Sequence, residues 1–257
     1  MKRSILIIIL TLSVANILAF AQTGNSSPQP LSGKITASSV WQPPPDFVTK
    51  AHNVCDKSAG PASFPACFLN QIAAAGAPAD AIAFSHMFFQ QTNGDVGIMT
   101  AFKHYGPVDG AQVFYPLRAN TNYGLLLVNG DPAIIDVDDL QKLDRAAMEK
   151  DTLFQAVKEK FPKIDLWPGD RSGSSPWPRA QPLSDGGTEF VVTYLLLDGC
   201  HACAHLGLAR FGWNFDAKGK FLRTTYIPTP PPPKLLPRPG RPQPPSSPQQ
   251  APPPPSL

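Results

Sequence analysis

The segment Leu195–Leu208, LLLDGCHACAHLGL, decides how this chain folds. It places Cys200, His201, Cys203 and His205 within six positions, and it reads either as a strand entering a helix or as the reversal of a hairpin. In HLGLARFGWNF, Gly207 and Gly212 would each cost a helix about 1 kcal/mol relative to alanine. The following residues therefore read as a second strand. His201 and Ala202 then sit at the tip, with Cys200 and Cys203 facing each other across it. The residues flanking a two-residue turn lie ~5.5 Å apart at Cα, within reach of a disulfide.

Three chemistries suit that tip. The first is a staple: closing so short a loop stabilises by roughly 2 kcal/mol through chain entropy. The second is a redox-active Cys200–Cys203 pair. The third is a zinc or copper site. On a strand Cys203 and His205 point to one side, and Cys200 converges on them across the turn, leaving a fourth position for water. The staple is the first expectation. No other cofactor is called for, and haem attachment is excluded because C-x-x-C-H would need histidine at Ala204. Locally, VVTYLLLDGCHACAHLGLARF resembles the thioredoxin motif, in which C-x-x-C opens a helix whose dipole lowers a thiol pKa. That resemblance implies a thiol–disulfide oxidoreductase. It is short, because only about two dozen residues follow before the chain turns proline-rich, too few for the strands and helix such a fold needs.

The preceding strand, TEFVVTYLLLD, has Phe190, Val192, Tyr194 and Leu196 on one face and Val191, Leu195 and Leu197 on the other, as in a central strand. FDAKGKF reads as a hairpin connection into GKFLRTTYI, with Gly219 able to take φ > 0. Further upstream, DVGIMTAFKHYG, AQVFYPLR, NYGLLLVNG and PAIIDV are branched and aromatic runs broken by turn residues. Val96, Ile98, Thr100 and Phe102 share one face of the first. The short connections predict antiparallel neighbours.

Helices are predicted on either side of a break at Gly76-Ala77-Pro78. Pro78 suits the first helical position, and Ala81, Phe84 and Phe88 form an apolar stripe. Asp138 and Gln141 resemble a capping box. Leu153, Val157 and Phe161 recur at helical spacing, with Gln155, Lys158 and Glu159 outside. Residues 167–187 read as a long irregular loop whose Trp167 and Trp177 either anchor it or form a binding platform. Asp131, Asp136, Asp138 and Asp139 of NGDPAIIDVDD lack the spacing of a calcium loop, and Asp138 and Asp139 read as helix caps. His86 reads as a satisfied core histidine, His104 as a surface residue at a strand end, and His52 as a loop residue. No serine-nucleophile elbow, phosphate loop or H-E-x-x-H occurs, so no catalytic residue is assigned.

The ends of the chain set the compartment. MKRSILIIILTLSVANILAFAQ has two basic residues, an apolar run and Ala19-Phe20-Ala21, the layout of a signal peptide cleaved after Ala21. After cleavage no span is expected, and the location is periplasmic or extracellular. There four cysteines favour two bridges, with Cys55–Cys67 and Cys200–Cys203 as the local pairing. Of the 31 prolines, 15 fall in residues 228–257. That composition predicts a disordered, extended tail reaching on the order of 90 Å, either without a specific partner or serving as a spacer or as a ligand for a proline-reading groove of a protein or cell-envelope partner. Setting aside Lys2, Arg3, Lys234, Arg238 and Arg241, the 22 basic residues fall to 17 against 19 acids. Such a balance gives no reason for nucleic-acid binding.

The expected organisation is a signal peptide (1–21), a flexible lead-in (22–45), one α+β domain (46–227) with a mostly antiparallel sheet and packed helices, and the tail (228–257). It is expected to be monomeric or weakly associating. The expected function is an exported, non-enzymatic binding or assembly module; the alternative is a thiol-redox or metal-binding protein.

Overall fold

The computed structural model describes residues 33–228, apart from 59, 61–62, 93, 120–121 and 170–176. The expected signal peptide and proline-rich tail lie outside the described residues, Pro228 excepted. The chain is α+β, and its described residues form five α-helices and two antiparallel sheets. The first sheet runs in sequence order through β1 (Ile98–Lys103), β2 (Asp109–Phe114), β3 (Tyr123–Val128) and β4 (Ile134–Asp136). In the second, β7 (Thr188–Asp198) and β8 (His205–Phe215) form a long hairpin, with β9 (Phe221–Ile227) beyond β8. On the other edge of β7 lie β5 (Ile164–Pro168) and β6 (Arg179–Pro182), end to end.

The run LLLV in β3 shows why the layers stack. Leu126 and Val128 pack with Phe84 and Phe88, whereas Leu125 and Leu127 face the second sheet. Both faces of the strand are buried, so it reads as a continuous apolar run rather than an alternation. The second sheet contributes Phe190, Tyr194, Phe211 and Trp213 to the shared core. Within it Tyr194 donates to the Val137 carbonyl at 2.8 Å, and Trp213 Nε1 donates to the Tyr194 hydroxyl at 3.2 Å. These two bonds satisfy polar atoms that would each cost about 1–3 kcal/mol if left buried and unpaired.

On the far side of the first sheet lie α1 (Phe47–Ser58), α2 (Phe64–Ala74) and α3 (Ala79–Gln91). The stripe Ala81, Phe84 and Phe88 is buried as expected. Pro78 is the N-cap of α3, one place earlier than expected, and Asp80 lies in its first turn. Residues 33–45, expected to be flexible, are packed. Ile35 is 3% exposed and exchanges two hydrogen bonds with the Asn129 side chain, and Trp41 stacks edge-on against Phe47. Ile35, Val40 and Trp41 anchor an otherwise polar stretch, with hydrogen bonds to Met99, Thr100 and Asn129, and a compositional reading averages such anchors away.

Four local expectations shift by a residue or an element. In β1 a register irregularity between Met99 and Ala101 breaks the alternation, so Phe102 packs in the cluster of Met99 and not in that of Val96 and Ile98. A bulge reverses the side-chain parity beyond it. In α5 (Thr152–Lys160) the inward residue is Phe154, while Leu153 is 43% exposed. Asp138 caps no helix. Asp139, Asp144 and Asp151 cap, respectively, the 3-10 turn at Leu140–Lys142, α4 (Arg145–Met148) and α5. The loop expected over 167–187 contains all of β6 and the end of β5, because β7 is long enough to pair with both.

Candidate functional site

The β7–β8 hairpin carries Cys200 and Cys203 at its tip, as the glycines of β8 predict. The residues after Cys203 form a strand and not a helix, which removes the structural basis for the thioredoxin resemblance. Cys203 N–H donates to the Cys200 carbonyl at 3.0 Å, closing a turn over His201 and Ala202. Asp198 N–H donates to the Ala204 carbonyl beneath it. Gly199 has φ +74°, and a Cβ there would lie 3.2 Å from the Lys163 carbonyl, so both its conformation and its close approach require glycine. The sulfurs of Cys200 and Cys203 are bonded, with Cα atoms 5.0 Å apart. While that bond stands neither cysteine is a thiolate, so the Cys200, Cys203 and His205 set cannot act as metal ligands. Among the described residues no group of three or more His, Cys, Asp or Glu side chains is arranged to hold a metal ion.

The tip is open to solvent. Cys200, His201, Ala202 and His205 are exposed and Cys203 is half-buried. The His201 ring meets Trp167 edge-on at 4.7 Å between centroids. Trp167 pairs with Leu195, which pairs with Leu208, so the three form a row across β5, β7 and β8. That row lies on the face opposite Leu166, Tyr194 and Leu196, which fill the core between the sheets. Leu208 is 44% exposed, so the second face of β7 is only half covered. Trp167 Nε1 is buried without an acceptor among the described residues. Trp177 lies on the other side of the sheet: a Cβ on Gly110 of β2 would meet its ring at 3.1 Å. The two tryptophans thus do not make one platform.

The second bridge is of another kind. Cys55 and Cys67 are joined with Cα atoms 5.7 Å apart, and Cys55 is fully buried. Cys55 and His52 lie on α1, not in a loop, and the bridge ties α1 to α2. His52 packs against Phe64 and Phe68. His86 is half-buried on α3, where burial lowers its pKa. His104 is 73% exposed and touches the buried Asp109 at 2.7 Å.

Residues missed in the sequence form a charged cluster where β4 ends. The Arg118 guanidinium donates to Asp95 through Nε at 2.9 Å and Nη2 at 2.6 Å, and lies 3.4 Å from Asp138 and 3.7 Å from Asp136. It sits 3.5 Å above the Tyr115 ring, whose hydroxyl donates to Asp136. One cation serves three carboxylates. Burial raises the Asp136 pKa, and burial together with the Asp136 charge raises Asp138 to about 6. Arg118 comes from the β2–β3 connection and Asp95 from the start of β1's approach, so only the fold brings them to Asp136 and Asp138. The cluster explains these acids as a structural knot.

No protein-family model matches the chain, and neither the curated proteins nor the solved structures searched contain a match. Among the described residues no helix is long and apolar enough to cross a membrane. The site is therefore read from its own geometry.

Proposed function

We propose that the protein is an exported, non-enzymatic binding or assembly module. It meets its partner through the half-covered face of the second sheet beside the stapled tip, and the proline-rich tail acts as a spacer. The carrying observation is the row Trp167, Leu195 and Leu208 on a rigid hairpin. Leu208 leaves large apolar area in water, and Leu222 on β9 is 50% exposed. Apolar area costs about 25 cal/mol per Å² to keep hydrated, which a partner removes on binding. A rigid hairpin loses little conformational entropy when it is covered. Export fits two disulfides, since such bonds persist outside the cytosol. The partner is a protein or cell-envelope component.

Site-specific photocrosslinking in the cell that makes the protein tests this. A photoreactive residue at Leu208 is expected to give a discrete adduct, whereas one at Leu153, equally exposed on α5, gives none. No adduct at Leu208, or equal yield at both, would overturn the reading. N-terminal sequencing of the exported form is expected to begin at Gln22.

A further inference from the structure

We propose that Cys200–Cys203 is a thiol–disulfide exchange site for a dithiol partner, with Cys200 the sulfur attacked, while Cys55–Cys67 is a permanent structural bridge. Exchange requires a thiolate to approach one sulfur along the S–S axis, so access selects between bridges of similar chemistry. Cys55 is fully buried in the cluster with Phe47 and Phe68, which closes its sulfur to attack, and Cys67 is half-buried, less open than the exposed Cys200. At the hairpin tip Cys200 is exposed and Cys203 half-buried, so an incoming thiolate meets Cys200 first.

The surroundings favour the step. His201 lies between the two cysteines and His205 two residues beyond, both exposed. The Lys163 side chain runs past Gly199, with its Cδ 3.9 Å from where a Cβ would stand. Lys163 is the cation nearest the turn, and a cationic neighbour stabilises a departing thiolate. Asp198 is the acidic residue of the turn. Trp167, held against His201, supplies an apolar wall at the tip for a partner's loop.

In the exchange, a thiolate of the dithiol attacks Cys200 Sγ. The Cys200–Cys203 bond breaks and Cys203 leaves as a thiolate, which takes a proton. The dithiol's second thiolate then attacks its own sulfur in the mixed disulfide and releases Cys200. The partner departs oxidised, and two electrons and two protons have passed to Cys200 and Cys203. Oxidation of the site is the same sequence reversed. The hairpin ladder does not depend on the sulfur bond, so the strands remain paired in both states.

The full mature chain, treated with graded dithiothreitol without denaturant, acid-quenched, alkylated and peptide-mapped, tests this. Cys200 and Cys203 are expected to label at least tenfold faster than Cys55 and Cys67, whose intact bridge reports that the fold persists. Equal rates, or no labelling before denaturant is added, would overturn the proposal. So would a purified protein holding reduced Cys200 and Cys203 with stoichiometric zinc or copper. In a second arm, glutathione disulfide is offered to Cys203→Ser and Cys200→Ser. The mixed disulfide is expected to form several-fold faster on Cys200 in the first variant, and equal or reversed rates would refute Cys200 as the attacked sulfur.

Discussion

Replacing Asp138 with asparagine is expected to stabilise the protein at neutral pH, although Asp138 lies within reach of an arginine. Arg118 is already held by Asp95 through two of its nitrogens, and Asp136 is close by. Asp138 is thus the surplus charge, with 22% of its side chain exposed. Its folded pKa of about 6 lies above the ordinary 3.8. The folded state therefore binds the extra proton between these values, and stability falls as pH rises through about 6. A shift of that size corresponds to about 3 kcal/mol at pH 7.5, with about 1 kcal/mol a floor after solvent screening. Asp138→Asn removes the charge and keeps an oxygen that accepts from Arg118. Urea unfolding at pH 7.5 is expected to show the variant more stable by about 1–3 kcal/mol. As pH falls through about 6 the difference is expected to shrink, and it is expected to vanish only below 3.8, where Asp138 is protonated in the unfolded as well as the folded wild type. A variant less stable than wild type at pH 7.5, or a gap that does not change with pH, would refute this account of the cluster.

Further outcomes follow from the same contacts. Tyr194→Phe removes the donor to Val137 and the acceptor of Trp213 Nε1, and is expected to lower unfolding free energy by about 1–3 kcal/mol in urea titrations. Cys55→Ala with Cys67→Ala is expected to cost about 3 kcal/mol, more than the double replacement at Cys200 and Cys203, because it closes the longer loop. Gly124→Ala would place a Cβ 2.5 Å from the fully buried Tyr115 ring. It is expected to cost about 1–3 kcal/mol by the same assay, and an unchanged midpoint would show that the ring has room to move. Leu208→Ser is expected to leave stability within about 0.5 kcal/mol of wild type, since a substitution at an exposed position removes little packing.

Residues that act through neighbours in sequence could be read directly. Gly207 and Gly212 argue against a helix after Cys203, and the spacing of Cys200 and Cys203 places them across a turn. The branched runs from Val96 to Val137 give strands, and Ala81, Phe84 and Phe88 give a helix face. What sequence could not give depends on atoms meeting from distant segments. The stacking of two sheets brings Leu125 and Leu127 into one cluster with Phe211 and Trp213. The burial of Ile35 depends on Asn129, 94 residues away. Arg118 finds Asp95, Asp136 and Asp138 only after β2, β3 and β4 have paired. Local conformation is set by each residue's own backbone and side-chain preferences. Which charge lies beside which, and which sulfur faces water, is fixed by the packing of layers, and no single stretch of the chain carries that information.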